Sequence, residues 1–483
     1  MPIEVSADTL DYLLTEGKRA DHMVDALVEM GEPGLRVYAS ELVDALRHLD
    51  KVGITQKGRV LAHPMCVHVA LNEGAVMVRR SDLRVQAAVR LRDAGSDADA
   101  PAVTVDFAGL RAVMTDLAKE RKRAELAGLV ITIQPAATGA RVTVPDQERT
   151  TLPSPVQARD YFGAVGTTEI ATRMVQMSTR DWVAGMTHAL TAAYDDVTLP
   201  TIEGVAIEHE RDRVRFVGTD RHRLATSGWI PATVDEGDLP GMIRIGYQHA
   251  RAMLARIKAT KAPVVTIGRN VSGALLVNAG HLTVMVQEPR GMNGVSYVDN
   301  WTRFTDPAPD ADGYGEPIVF EPAPILEWLE KAAQWASEIE QEARDTRCRL
   351  VRELREAGHT ARHAEREADQ DPTVKRLDTT AREARQVDLR VWGTQLVVRT
   401  VAGEWLGDLD LADGAEGERW LDLRVRASYL ADGLASFPTS HTIRLTGRSV
   451  PDPSTAPWMI TDSGVAPEAQ DRPRYLLAPV ILR

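Results

Sequence analysis

Apolar positions along the chain switch between two periods, and the switch repeats. Runs at three- and four-residue spacing predict helices and runs alternating every second residue predict strands. The order helix, short strands, second helix, further strands occurs three times. In the first copy Leu42, Ala45, Leu46 and Leu49 fall at helical spacing with Ser40 as the expected N-cap, and Asp44, Arg47, His48 and Lys51 form the polar stripe. CVHVALNEGAVMVRR then alternates as a hairpin about Asn72-Glu73-Gly74. A second helix opens at Asp106 and carries Phe107, Leu110, Val113, Met114 and Leu117 inward, with Arg111, Lys119 and Lys122 on its other faces.

The second copy runs from about Thr172 to Thr305. It has a helix containing Val183, Met186 and Leu190, paired strands in GVAIEHERDRVRFVGTD, and the helix GYQHARAMLARIKA with Arg251 and Lys258 on one face. The third begins near Pro317 with PAPILEWLEKAAQWAS, resumes at VDLRVWGTQLVVRT, and has a second helix holding Tyr429, Leu430, Leu434 and Phe437. Turn-rich TLPSPVQARDYFGA and TDPAPDADGYGEP read as linkers between copies. This predicts an α+β chain of three tandem domains, 34–164, 165–306 and 315–483, each with two helices packed on antiparallel sheets.

Two segments break the repeat. Residues 1–33 form an acidic leader with a helical pattern at Leu10, Leu13 and Leu14. Roughly Glu338 to Gln386 is dense in Arg, Glu and Ala; Leu350, Leu354 and Ala357 give a narrow seam, and Gly358 and Asp371-Pro372 supply breaks. The expectation is a solvated helical hairpin inserted in the third domain.

Composition narrows the function. The chain has 483 residues, enough for about three domains, and its 44% hydrophobic and 26% charged content is that of a folded globular protein. The start has no basic region followed by an apolar run and no stretch is long enough to cross a bilayer. Cys66 and Cys348 have no CxxC partner, so a reducing cytoplasm is expected, without disulfides or a cysteine metal site. A net charge of −12 argues against a protein that simply coats nucleic acid. It leaves room for one basic lining, because phosphate attraction is screened beyond about 8 Å at physiological salt.

Enzyme chemistry finds no footing. There is no G-x-S-x-G, H-E-x-x-H, P-loop or G-x-G-x-x-G run, and the histidines are scattered. Asp195 and Asp196 are adjacent but lack calcium-loop spacing, so a turn or helix-end role is expected of them. No cofactor or metal is expected. The end, RPRYLLAPVILR, is an apolar strand with Pro479 inside it, which suits an edge that captures a peptide as well as an ordinary core strand.

Five segments in order resemble the bacterial beta sliding clamp family. LPTIEGVAIEHERDRVRFVGTDRHRLAT is similar to the family's middle domain with its TDGHRLA, and Ser81 to Val89 to its first-domain TDLEVSI. TTLPSPVQARDYF is similar to the TLP-x-x-x-x-DFP closing strand, DLRVRASYLADGLASF to the third-domain FNARYLLDAL helix, and YLLAPVIL to the terminal YVVMPMRL. Together they span most of the chain from Leu35 to Arg483. The family's Gly in TDGHRLA is Arg221 here, the first Met of its terminal motif is Ala478, and the Arg is Ile481. These departures alter the expected partner pocket.

The resemblance implies three DNA-clamp domains per subunit and a head-to-tail homodimer ring around double-stranded DNA. It also implies docking of DNA polymerase and clamp-loader subunits through short peptides, without catalysis. Carried over, the partner-peptide pocket is Ile202, Thr219, Arg221, His222, Arg223, Leu224, Arg303, Phe304, Pro457, Leu476, Pro479, Val480 and Leu482. The candidates to face DNA are Arg47, His48, Lys51, Arg111, Lys119, Lys122, Arg180, His188, Arg251 and Lys258. The alternative is a clamp-derived scaffold that binds proteins without encircling DNA.

Overall fold

The computed structural model describes residues 33–50, 65–81, 85–145, 147, 149–158, 161, 170–196, 198–199, 202–234, 242–286, 301, 318–392, 394–411, 421–437, 442–447, 457–464 and 472–478. The leader lies outside them. The chain forms two compact units, Met1–Thr179 with Ala255–Gln287, and Arg180–Leu254 with Glu288–Arg483.

In the first unit, strand β1 (Leu35–Tyr38) leads into helix α1 (Ala39–Leu49), which buries Leu42, Ala45, Leu46 and Leu49. Ser40 lies inside the helix and does not cap it. The Ala39 N–H instead donates to the Leu129 carbonyl at 2.8 Å, so a tertiary partner satisfies a donor that a cap would otherwise serve. At the other end Arg80 donates to the carbonyls of Leu49 and Asp50, each at 2.9 Å, and Arg256 donates to that of His48. Strands β2 (Cys66–Asn72) and β3 (Ala75–Ser81) form the expected hairpin. Its two turn residues, Glu73 and Gly74, have φ of 47° and 70°, the left-handed pair a two-residue hairpin loop needs. Strands β4 (Val85–Arg92) and β5 (Val103–Asp106) follow. In helix α2 (Phe107–Glu120) the Asp106 carboxylate accepts from the Gly109 N–H at 2.6 Å; Leu110, Met114 and Leu117 are buried, and Val113 is half-buried on the flank.

Helix α3 (Arg123–Gly128) and strands β6 (Val130–Ala136), β7 (Gly139–Thr143) and β8 (Thr150–Pro153) complete the first copy. The second copy opens with β9 (Thr172–Ser178) and helix α4 (Thr179–Leu190), followed by β10 (Val205–Glu210), β11 (Arg213–Thr219), β12 (Arg223–Thr226), the short β13 (Ile230–Pro231) and β14 (Thr233–Val234), and β15 (Met242–Ile245). Helix α5 (Tyr247–Thr260) and strands β16 (Val264–Arg269), β17 (Leu275–Ala279) and β18 (Leu282–Val286) end it. The first unit holds the sheet β1-β6-β7-β8 and the run β9-β16-β17-β18-β4-β3-β2-β5. In that run the last strand of the second copy pairs antiparallel with β4 of the first, Leu282 opposite Val89.

The third copy has β19 (Ile318–Phe320), helix α6 (Pro322–Glu356), helices α7 (Ala361–Gln370) and α8 (Pro372–Ala384), strands β20 (Gln386–Trp392), β21 (Gln395–Thr400), β22 (Trp405–Asp410) and β23 (Leu421–Arg426), helix α9 (Ala427–Ala435), then β24 (Ile443–Gly447), β25 (Trp458–Asp462) and β26 (Arg474–Leu477). In the second unit the sheets run β15-β10-β11-β12-β26-β25-β24-β19 and β22-β21-β20-β23. Strand β26 lies between β12 and β25, with Leu476 opposite both Leu224 and Met459. The core beneath holds Ile325, Leu329, Leu389, Val398, Leu423, Leu430 and Leu434.

The insertion differs from the expected hairpin. The first helix of the third copy runs on for 35 residues without a break at Glu338, and two shorter helices return along it. Gly358, at φ 91°, follows the end of α6; the Asp371 carboxylate then accepts from the N–H groups of Thr373 and Val374, and Pro372 opens α8. The seam is alanine-rich: Ala336 and Ile339 meet Ala381 and Ala384, with Trp335 and Leu377 beside them. Leu350 and Leu354 are only half-buried and Ala357 is exposed. Ion pairs flank the seam, Arg347 to Asp369 at 2.8 Å and Arg385 to Glu340 at 2.5 Å.

Candidate peptide-docking site

The turn joining β11 to β12 is built by short side chains closing on the backbone. The Thr219 hydroxyl donates to the Arg223 carbonyl at 2.7 Å and accepts from the Arg221 N–H at 3.2 Å. The Asp220 carboxylate accepts from the N–H groups of His222 and Arg223 at 2.9 and 3.0 Å. Arg221 sits at the tip with φ 79°, a left-handed conformation in which glycine would be at ease. Beyond it the Ala478 N–H donates to the His222 carbonyl at 2.8 Å, which ties the turn to the segment after β26.

Under this turn lies a small apolar cluster of Ile202, Ala206, Val217, Leu224, Trp301 and Leu476, with Tyr194, Leu199 and Met242 against it. Three pocket residues carried over by resemblance, Ile202, Leu224 and Leu476, thus come together, and Thr219 and Arg223 frame them. Pro457 is half-buried just before β25, the strand beside β26. Arg303, Phe304, Pro479, Val480 and Leu482 lie outside the described residues. Sequence reasoning missed Trp301, buried two positions before Arg303, with Arg215 over its ring at 4.1 Å. Its place two residues before the carried-over Arg303 was the available signal.

Arg223 is the electrostatic centre. Its guanidinium pairs with Asp220 at 2.9 Å and with Asp432 of α9, and it lies 4.4 Å over the Tyr429 ring. Burial works against its charge, yet the neighbouring Tyr475 and Asp220 outweigh it and hold its pKa above the ordinary value. Burial likewise pushes the Tyr475 hydroxyl upward. His222 is exposed and stacks on Tyr429 at 6.2 Å. No nucleophile, base and orienter converge here among the described residues; the hydroxyl of Thr219 is engaged within the turn. Among the described residues no group of three His, Cys, Asp or Glu side chains is placed to hold a metal ion. The six cluster residues are themselves buried, and Tyr194, Leu199 and Met242 form its partly exposed rim.

The candidate DNA-facing residues divide. Arg47, Arg111, Lys119, Lys122, Arg180, Arg251 and Lys258 are exposed. Arg47 pairs with Asp44 at 3.1 Å, Lys119 with Asp116 at 2.8 Å, and Arg111 with Asp50. Lys51 lies outside the described residues. His48 and His188 are buried, contrary to the expectation that they face DNA. Helical spacing puts His48 three residues after buried Ala45 and His188 three after Gly185, each on the inward stripe. His48 contacts the His281 ring at 5.1 Å; the His188 ring meets the Arg474 carbonyl at 3.0 Å, and burial lowers the pKa of both. Asp196 closes a local turn, its carboxylate accepting from the Thr198 N–H at 2.8 Å. No described helix is long and apolar enough to cross a membrane.

No protein-family model and no curated protein matches the chain. Solved structures do. A DNA polymerase sliding clamp from Pseudomonas aeruginosa superposes with a TM-score of 0.66 at 15% identity, covering 93% of this chain and all of its own. The DNA polymerase III beta subunit from Thermotoga maritima gives 0.65 at 12%, and the sliding clamp from Caulobacter crescentus 0.64 at 14%, with the same coverage. At these identities the likeness speaks to architecture. With its threefold repeat and the two sheets that run from one copy into the next, the chain has the fold of the DNA polymerase III beta subunit sliding clamps.

Proposed function

We propose that the chain is a sliding clamp, a non-catalytic subunit of a homodimeric ring that encircles duplex DNA in the cytoplasm and tethers DNA polymerase. The observation that carries this is a joining rule. The last strand of the second copy, β18, pairs with β4 of the first, and the last strand of the third, β26, pairs with β12 of the second. In the same places, β8 of the first copy and β22 of the third each end a sheet. Edge strands offer unpaired backbone groups as a template. Following the rule, β8 of one subunit would pair with β22 of its partner, and two subunits would close on six domains. Trp405 at the start of β22, 62% exposed, supports a surface meant to be covered.

Arg47, Arg111, Lys119, Lys122, Arg180, Arg251 and Lys258 are the proposed DNA-facing cations, making non-specific contacts with phosphate. Polymerase and loader subunits would dock short peptides over Ile202, Leu224 and Leu476, with Pro457 and the segment after β26 as further walls. Solution mass by light scattering across a dilution series tests the ring: a stable value near twice 52.9 kDa is expected. Retention on nicked circular DNA with release on linearisation tests encirclement. A second reading, a protein-binding scaffold of clamp fold, draws on the pairing of Arg47, Arg111 and Lys119 with carboxylates of the same chain. A persistent monomer that is not retained on circles would select it. Deletion of residues 479–483 tests the docking site. Because β26 ends at Leu477, the expected result is loss of peptide binding with the two-subunit ring intact.

A further inference from the structure

We propose that the first unit binds a small organic anion, a carboxylate or phosphate group on a short apolar body, in a cavity on the sheet where the first and second copies join. The cavity measures about 280 Å³, at the lower end of the range for small-molecule sites. Strand registers put its walls on one face. Arg90 of β4 stands opposite Met77 of β3, and Asn72 of β2 lies two residues beyond Ala70, the other partner of Met77. Across the join, Asn278 of β17 stands opposite both Thr266 of β16 and Thr283 of β18. Thr283 in turn is opposite Ala88, two residues before Arg90, so these six lining side chains project from the same face. Ile170, ahead of β9, and His281, in the turn between β17 and β18, complete the lining with Gly280.

The chemistry of this lining is one-sided. It offers a guanidinium, an imidazole, two amides and two hydroxyls, and no carboxylate. Among the described residues the Arg90 guanidinium has no hydrogen bond or ion pair, whereas Arg92, two residues on, pairs with Glu41. Both hydroxyls are left as donors. The Asn278 amide donates to the Thr283 hydroxyl at 2.9 Å and the Gln176 amide to that of Thr266 at 3.4 Å, so each hydroxyl already accepts and keeps its own proton for a ligand. A carboxylate or a phosphate satisfies such a set, and the planar fork of Arg90 suits bidentate recognition of either. Met77 and Ile170 add an apolar wall that a bare ion would leave uncovered, which points to an organic anion.

The test uses the full-length chain with phenyl phosphate and benzoate as probes, benzyl alcohol as the neutral control and inorganic phosphate as the bare anion, read by isothermal titration calorimetry. At least one anionic probe should bind saturably at millimolar concentration, and the tighter of the two tells a phosphate ligand from a carboxylate. Benzyl alcohol and inorganic phosphate should each bind about fivefold or more weaker, the first for want of charge-assisted hydrogen bonds and the second for want of apolar contact. Arg90→Gln, a change to an exposed side chain, should weaken the anionic probe by a similar factor, and Thr283→Val should weaken it by removing a donor. Arg349→Gln, an exposed arginine of α6, should leave it unchanged. No saturable binding of either probe overturns the proposal, as does binding that Arg90→Gln leaves intact or that Arg349→Gln weakens equally. Inorganic phosphate binding as tightly as phenyl phosphate would overturn the organic part of the assignment.

Discussion

Arg221 spends stability on its conformation, and that cost is measurable. Relief of a left-handed L-residue should raise the unfolding free energy of Arg221→Gly by about 1 kcal/mol, read as a higher denaturant midpoint at unchanged slope. A lower midpoint would mean that the side chain makes stabilising contacts. Glycine's absence at this point of the turn was legible in the sequence; the retention of the glycine-like backbone was not, because propensity gives an arginine no reason to adopt it. His68 illustrates the opposite case, a titrating group hidden in a strand. It is 3% exposed, stacks on Tyr161 at 5.4 Å, and burial, with Arg79 adding to it, lowers its pKa to about 4. The folded state thus takes up the His68 proton later than the unfolded state, whose pKa is near 6.5. Its contribution is present above that value and is lost as the pH falls through 4. His68→Phe, which keeps the stack and removes the titration, should hold about 3 kcal/mol more of its neutral-pH stability at pH 4 than the parent does. Parallel stability curves from pH 7 to 4 would refute the assignment. Alternation placed His68 in a strand; only the tertiary stack says which face is sealed.

Among the elements, the hairpin at Glu73-Gly74 and the cap at Asp106 were readable because local chemistry decides them. The expected cap at Ser40 failed because a tertiary carbonyl, that of Leu129, serves the same need. The boundary of the insertion was illegible for a plainer reason. Ile325 to Glu356 contains no Gly or Pro, so nothing in the helical period marks where the clamp helix ends and the arm begins. Its seam uses alanine, which periodicity counts neither as core nor as surface. Since Ile339 already faces Ala381 across the base of the arm, joining Glu342 to Asp378 through about five Gly and Ser residues should span the gap. The shortened chain is expected to keep its thermal midpoint within about 4 °C, a shift equivalent to roughly 1–2 kcal/mol, while its helical circular dichroism falls. Loss of cooperative unfolding would show that the arm is part of the third-copy core.

For the whole molecule, the repeat and its order were legible, as was the α+β class. The strand joins were not, since pairing partners of β12 and β26 lie far apart in sequence and no local signal links them. If β8 and β22 pair between copies, Trp405→Glu should weaken self-association about tenfold or more, as for a buried aromatic anchor at an interface, measured by sedimentation at several concentrations. An unchanged mass distribution would remove Trp405 from the interface. The position of β26 between β12 and β25 also bears on how the protein is made. A strand that completes the interior of a sheet emerges from the ribosome roughly 250 residues after the neighbour it must pair with, a long-range closure of the slow kind. Until then β12 presents a bare apolar edge. Nascent chains stalled before Arg474 should therefore stay protease-sensitive across the second copy and bind holdase chaperones, and protection should appear in one late step when β26 slots into place.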